Sequence, residues 1–335
     1  MSKTFIPENY RPLLGPYDTQ TAIGLIKRTF EKNLSEALLL QRVSAPLFVD
    51  PETGLNDDLN GVERPVRFDL LDCGRDAVVV HSLAKWKRMA LYRYGFPKGQ
   101  GLYTDMNAIR RDEILDNLHS VYCDQWDWEK IIGREDRNLS YLKETVQTIV
   151  AAIYDTQQAL SEIFPQIPNR ISREVSFLTT QELEDLYPDL SPKERESVYT
   201  KLHKTVFLMQ VGGTLRSGQR HDGRAPDYDD WTLNGDLLYW SDTLGCAVEI
   251  SSMGIRVDAA AMERQLEAAG AIERKNYAFH RSVLDGTLPL TMGGGIGQSR
   301  LCLLLLGKAH IGEVQVSVWD DATCRICRDG GIPLL

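Results

Sequence analysis

The chain has no long apolar run: the longest, LCLLLL at residues 301–306, falls far short of the roughly 20 residues that cross a bilayer. No basic stretch followed by an apolar one occupies residues 1–16, so no secretory leader is expected. Cysteine is sparse, with six in 335 residues, and only Cys324 and Cys327 form a C-x-x-C pair. No second pair follows them, which argues against a zinc ribbon and for two ordinary thiols. The scatter of the other four suits reduced thiols in a cytoplasm. Positive charge is also short: 38 Lys and Arg stand against 47 Asp and Glu, a net charge of −9. A broad nucleic-acid footprint is not expected from that balance. Internal repeats and long linkers are absent too.

What is present is enough for one substantial core: 43% of residues are hydrophobic and 25% charged. Residues 18–40 predict an amphipathic helix with Asp18 or Thr19 as cap, because Ile23, Ile26, Phe30, Leu34 and Leu38 recur at three- and four-residue steps. Residues 42–49 read as an edge strand broken by Pro46. Strands are expected at 66–71, 78–81, 103–109 and 121–128, with a helix at 82–94. The longest helical pattern spans 136–163. A connection at 187–192 leads to a helix at 193–203, a strand at 205–211 and a Gly/Asp/Arg-rich loop at 212–231. Strands at 237–240 and 246–251, helices at 259–269 and 274–284, a glycine cluster at 293–297 and a helix to Leu306 complete the chain. Hairpin-length links with helices gathered in blocks predict an α+β fold around an antiparallel sheet flanked by helices.

Three signals carry chemistry. GGGIGQSR (293–300) places glycines before a strand-to-helix transition, with Arg300 in the first helical turns. Glycine lets backbone approach a flat ligand, and a guanidinium stacks on a base or binds phosphate, although a glycine cluster also marks a packing turn. The Rossmann spacing is absent. Arg110 and Glu113 form R-x-x-E at a strand end, fit for an α-phosphate and an adenine amino group, or for a surface ion pair. Asp236 in LNGD (233–236) and Glu249 opening EISSMGIRVD (249–258) put carboxylates on neighbouring strands. Such a pair holds Mg²⁺ with phosphate oxygens completing the shell, or is a cross-strand polar pair.

The order of these signals resembles motifs 2 and 3 of class II aminoacyl-tRNA synthetases, and VSAPLF (43–48) resembles their proline-bearing motif 1, a dimer element. HSLAKWKR (81–88), GLYT (101–104), HSVYCDQWDWE (119–129), RHDGRAPDYDDW (220–231), LNGD, SSMGIRVD (251–258) and GGGIGQSRL (293–301) are similar to the ammonia-dependent asparagine synthetases. That resemblance runs from about residue 57 to 319. It implies a class II synthetase-like sheet, a homodimer, and synthesis of asparagine from L-aspartate, ATP and ammonia through an adenylate, with Mg²⁺ as cofactor. It implies an N-terminal extension at 1–17, one catalytic domain at 18–320 and a tail at 321–335.

The resemblance also implies roles. Arg110, Glu113, Asp236, Glu249, Gly295, Gly297 and Arg300 would hold ATP, with Asp236 and Glu249 on the metal. Asp57, in the turn at 56–61, would take a proton from ammonium, and Gln125 would hold the side-chain carbonyl. Asp127 and Asp229 would flank the α-amino group; Ser82, Lys87, Ser252 and Arg256 would lie near the α-carboxylate. His81, His119 and His221 are read as structural, and Trp86, Trp126 and Trp128 as core. Two residues between Trp231 and Asn234 stand where a longer loop is expected of bacterial members. Ser2, in place of a cysteine, argues against a glutamine-dependent synthetase. A tRNA synthetase would want an added basic domain, and a non-catalytic paralogue would lack the phosphate and metal ligands.

Overall fold

The computed structural model describes residues 3–57, 59 and 63–335. Helix α1 (Pro16–Leu38) opens on a proline at its first position, after Gly15 at the cap, rather than on Asp18 or Thr19. Proline fits there because its missing N–H is unpaired in any first turn. Ala22, Ile26, Phe30, Leu34 and Leu38 form its buried stripe. Leu39 then turns left-handed (φ 59°) and feeds β1 (Leu40–Arg42). The expected edge strand is in fact two short strands in different sheets, β1 and β2 (Phe48–Val49), with Pro46 in the link.

Strands β3 (Arg67–Leu70) and β4 (Arg75–Val79) join β2 in a three-stranded antiparallel sheet. Helix α2 (Ala84–Arg93), strands β5 (Gly101–Ile109) and β6 (Tyr122–Ile131), and helix α3 (Leu139–Ile163) follow. Asn138 starts α3 three residues later than expected by accepting from Tyr141 N at 2.9 Å. Then come β7 (Ser176–Thr179), α4 (Thr180–Leu186), α5 (Pro192–His203), β8 (Thr205–Met209), β9 (Asp229–Ser241) and β10 (Cys246–Arg256). Helices α6 (Ala259–Ala268) and α7 (Ala278–Leu284), strand β11 (Thr291–Gly297), and helices α8 (Gln298–Leu306) and α9 (Asp321–Asp329) complete the order.

The large sheet has eight strands in the order β1-β5-β6-β11-β10-β9-β8-β7. Its middle is antiparallel as expected, and its two edge pairs, β1 with β5 and β7 with β8, are parallel. One face is sealed by α1, α3 and α8 over the main core, where Phe30 meets Trp126 at 4.8 Å between ring centroids. The opposite face carries two smaller cores. One joins Leu83, Leu91 and Leu102 to Val257 and Met262; the other joins Leu183 to Leu208 and Leu238. Between them the central strands face a cavity. Among the described residues no helix is long and apolar enough to cross a membrane.

The N-terminal segment lies against the C-terminal tail. Tyr10 packs with Ala309, Cys327 and Ile332, and its hydroxyl donates to Glu313 at 3.0 Å. Buried Asn117 ties this segment to two loops. Its Oδ1 accepts from Phe5 N at 3.0 Å, and its Nδ2 donates to Phe5 O at 2.8 Å and Ala309 O at 2.7 Å. Asn117→Ala leaves those backbone groups unpaired, an expected loss of about 2–3 kcal/mol. The measurement is a urea midpoint, lowered at unchanged slope; a midpoint equal to that of the unmodified protein contradicts the assignment.

Candidate active site

Period-2 alternation along β6 sorts its side chains. Trp126 and Trp128 go to the helix-covered face, with 1% and 0% exposure, and Gln125, Asp127 and Glu129 go to the open one. Pairing then builds a row across four strands: Asp127 opposite Gly295, Gly295 opposite Ser252, Ser252 opposite Asp236. Glycine is required in the middle. A Cβ on Gly295 would stand 2.4 Å from Gln125 Oε1 and 2.6 Å from Asp127 Oδ1. The next row repeats the pattern, since a Cβ on Gly293 would meet Glu129 Oε2 at 2.0 Å.

Strict alternation would turn Glu249 away from this face. A bulge corrects it: Glu249 opposes Leu238 and Ser251 opposes Leu237, leaving Ile250 as the extra residue. Glu249 therefore shares a face with Asp236 and Ser252. The open face holds a cavity of 490 Å³, and all fifteen residues expected at the site line it.

Charges on the cavity floor are organised in pairs. Lys87, 1% exposed, reaches Asp127 Oδ2 at 3.1 Å and donates to Gly294 O at 2.9 Å. Arg256 donates to Glu129 through Nε at 3.0 Å and Nη2 at 2.7 Å, and to Asp229 through Nη1 at 2.5 Å. Burial alone would raise Glu129, yet Arg256 outweighs it and holds the carboxyl below the ordinary range. Both Lys87 and Arg256 are thus engaged with carboxylates of the floor.

At the other end, Arg224 donates to Ser252 Oγ and, at 2.5 Å, to Asp236 Oδ1. Burial and the like charge of Glu249 push Asp236 up to about 6, against the pull of Arg224. Glu249 goes the other way: burial opposes its charge, but Arg300, Lys193 and Arg224 hold it below the ordinary range. Two hard oxygen donors on one face, one of them raised by the other, suit a divalent cation that relieves their repulsion. Among the described residues no group of three or more potential ligands exists, and an ion held by this pair would need water or substrate oxygens to complete its shell.

Arg110 stands just past β5 and closes a turn with Glu113, whose N–H donates to Arg110 O at 3.0 Å. Arg64 braces that turn through Asp112, at 3.0 Å from Nε. Arg300, in the first turn of α8, donates to Glu249 O at 3.1 Å. Asp57 is 2% exposed and accepts from Leu59 N and Ser82 Oγ, each at 3.0 Å. Burial, reinforced by the charge of Asp227, raises it against the pull of Lys85. Half of the turn expected at 56–61 (residues 58, 60 and 61) lies outside the described residues.

The family model described as aspartate-ammonia ligase matches residues 17–331. The chain belongs to that family. Aspartate–ammonia ligases from Clostridium tetani and Ruminiclostridium cellulolyticum are 55% and 56% identical to it, the first over 99% of this chain and 98% of its own, the second over 100% of both. In fold the chain is similar to asparaginyl-tRNA synthetases. That of Entamoeba histolytica, solved with asparaginyl-adenylate, gives a TM-score of 0.64 at 14% identity over 90% of this chain and 66% of its own. That of Pyrococcus horikoshii gives 0.65 at 16% identity over 89% and 68%. The chain thus spans about two thirds of the length of these synthetases. The class II α+β architecture expected from the motifs is the one observed.

Only Thr232 and Leu233 separate Trp231 from Asn234. Here residues 230–233 form a bulge within β9, since Asp229 pairs with Arg256 and Asn234 with Gly254.

His119 and His221 have carboxylate partners, Asp116 at 2.9 Å and Glu196 at 2.8 Å, in keeping with structural roles. Arg224 is a charged side chain of the cavity lining that sequence reasoning passed over. Its peptide was conspicuous, but a loop has no periodicity to say which side chain turns inward.

Two outcomes follow from the charge pairs. Arg256→Met strands Glu129 and Asp229 in the floor and is expected to cost about 3–5 kcal/mol by urea denaturation at neutral pH. A depressed carboxyl contributes stability above its ordinary pKa and loses it on acidification. The deficit of the variant therefore narrows as pH falls through the carboxylate range, where Glu129 protonates. A pH-independent deficit contradicts the pairing. Glu249→Gln removes the like charge beside Asp236, so Asp236 titrates lower than about 6 in carboxyl ¹³C NMR; an unchanged or higher value contradicts the coupling.

Proposed function

We propose that this chain makes L-asparagine from L-aspartate and ammonia with ATP, through a β-aspartyl-adenylate, releasing AMP and pyrophosphate. The observation that supports this reading is that two arginines, a carboxylate pair and a raised buried carboxyl line one glycine-floored cavity. A phosphoryl group needs the first two, and a protonated amine nucleophile needs the third.

In the first step a side-chain carboxylate oxygen of aspartate attacks the α-phosphorus, and the bond to pyrophosphate breaks. Arg110 and Arg300 bind the α-phosphate oxygens as charge gathers on them, a preorganised stabilisation that is usually the largest catalytic term. Glu113 accepts from the adenine amino group, and Gly295 and Gly297 let the nucleotide lie against backbone. Asp236 and Glu249 would hold Mg²⁺, which would supply positive charge to the phosphates. In the second step the nitrogen attacks the activated carbonyl carbon, held by Gln125, and the bond to AMP breaks. Asp57 takes the proton that ammonium must lose before its nitrogen has a free electron pair.

The paired charges of the floor suit a zwitterion. Asp127 and Asp229 face the α-amino group, while Lys87, Arg256, Ser82 and Ser252 face the α-carboxylate. Pairs that already neutralise one another give a net-neutral ligand head a place without an uncompensated buried charge. We assign the catalytic unit to residues 18–320, with 1–17 as an N-terminal extension and 321–335 as a tail. We further assign a cytoplasmic location, and a homodimer that covers the edge where Leu39, Leu47 and Phe48 are exposed.

The test is product analysis with aspartate, ATP, Mg²⁺ and either ammonium or glutamine. Asparagine, AMP and pyrophosphate are expected in equal amounts with ammonium and not with glutamine. ADP as product, dependence on glutamine, or charging of tRNA with aspartate in place of asparagine formation overturns the reading. Arg300→Ala is expected to lower kcat by about 10²–10³ with the fold intact by circular dichroism; retained turnover removes Arg300 from the site.

A further inference from the structure

His81 was assigned no part in the chemistry, yet it lines the same cavity as Asp57 and is 1% exposed. It follows β4, just before α2. Its position is set by Asn56, whose Oδ1 accepts from His81 N at 2.8 Å and from Asp57 N at 3.0 Å. The ring Nδ1 lies 3.1 Å from Asp57 O. A peptide carbonyl can only accept, so Nδ1 carries the hydrogen in this contact. In the neutral ring Nε2 is then a bare acceptor. That Nε2 is buried and has no hydrogen-bond partner among the described residues. An acceptor kept from water without a donor is a cost that a bound donor relieves.

The acceptors around this point have a common character. The Asp57 carboxylate takes one bond at each oxygen, from Leu59 N and Ser82 Oγ, and each oxygen keeps further lone-pair capacity. Lys85, the cation that acts most strongly on Asp57, is already committed to Asp227 at 3.3 Å, together with Arg274 and His280 at 3.0 Å each. A small ligand bridging Asp57 and His81 must therefore be a hydrogen-bond donor, and one with positive charge is favoured by the carboxylate.

We propose that the carboxylate of Asp57 and Nε2 of His81 together bind the ammonium ion. This rests on the reading of the preceding section and adds to it a second ligand for the nitrogen substrate. Ammonium has four N–H donors and no acceptor, which matches a site made of acceptors. The imidazole also confers selectivity. Its single directional lone pair accepts a hydrogen bond from ammonium but is a poor partner for potassium, a hard cation of similar size that prefers oxygen. His81 is thus the residue that favours ammonium over potassium.

The experiment uses three proteins and two assays. Asparagine synthesis gives KM for each substrate, and aspartate-dependent ATP–pyrophosphate exchange reads the first step without ammonium. His81→Asn keeps a polar group near Nδ1 and removes the acceptor at Nε2; His81→Gln places an amide oxygen near the Nε2 position. For His81→Asn the inference predicts KM for ammonium raised at least about tenfold, with KM for aspartate and ATP and the exchange rate within about twofold. His81→Gln is predicted to recover most of the loss. An unchanged KM for ammonium overturns the inference, as does a uniform fall in exchange and all three affinities, which is what a purely structural histidine gives. A third arm needs no variant: potassium chloride, compared with choline chloride at equal concentration, leaves KM for ammonium unchanged in the unmodified protein. Competitive inhibition by potassium overturns the claimed selectivity. Absence of exchange in the unmodified protein removes the adenylate reading itself, whereas normal exchange with an indifferent His81→Asn removes this inference alone.

Discussion

The pairing register of the four central strands is the constraint on which the rest depends. Side chains alternate with a period of two, so a slip of one residue in β6 would send Gln125, Asp127 and Glu129 into the helix-packed core and bring Trp126 and Trp128 to the cavity. The two tryptophans, buried in the main core with Phe30 against Trp126, make that slip prohibitive. Packing on one face thereby fixes polar chemistry on the other. Gly293 and Gly295 lock the same register from the open side, because only glycine leaves room for the carboxylates of Glu129 and Asp127 beside the strand.

A floor so rich in buried charge holds together only by mutual neutralisation. Lys87 with Asp127, Arg256 with Glu129 and Asp229, and Lys85 with Asp227 are each nearly or wholly out of water. Breaking one partner of such a pair leaves a charge that burial penalises severely. Where two carboxylates meet without enough compensation, at Asp236 and Glu249, the imbalance appears as a raised Asp236. The cavity thus keeps two groups that a ligand could complete: the carboxylate pair, and the unpartnered Nε2 of His81 beside Asp57.

Much of this was legible in the amino-acid sequence, for identifiable reasons. Four of the five residues expected in the α1 stripe, Ile26, Phe30, Leu34 and Leu38, are buried, with Ala22 in place of Ile23, and the glycines at 293–297 precede a helix that begins at Gln298; local patterns of that kind need no tertiary information. Members of the site were recognisable because their peptides are long and distinctive. What escaped was set by contacts distant in sequence. The bulge at Ile250 re-aims Glu249 only in relation to β9, and the parallel edge pairs depend on connections that cross the sheet. The partners of Lys87 and Arg256 lie on β6 and β9, 40 and 127 residues away at the nearest Asp127 and at Glu129. Arg224 sits in an aperiodic loop. The start of α1 was misplaced because Pro16, not a polar cap, opens the helix.

The central claim is that the aspartate side chain is activated by transfer of AMP on the Arg110–Arg300 face. Oxygen bookkeeping tests it directly. Aspartate carrying ¹⁸O in its side-chain carboxylate is incubated with enzyme, ATP, Mg²⁺ and ammonium, and the products are analysed by mass spectrometry. The account predicts one ¹⁸O atom in the phosphate of AMP and none in pyrophosphate. Label in inorganic phosphate, or AMP that carries none, would contradict it.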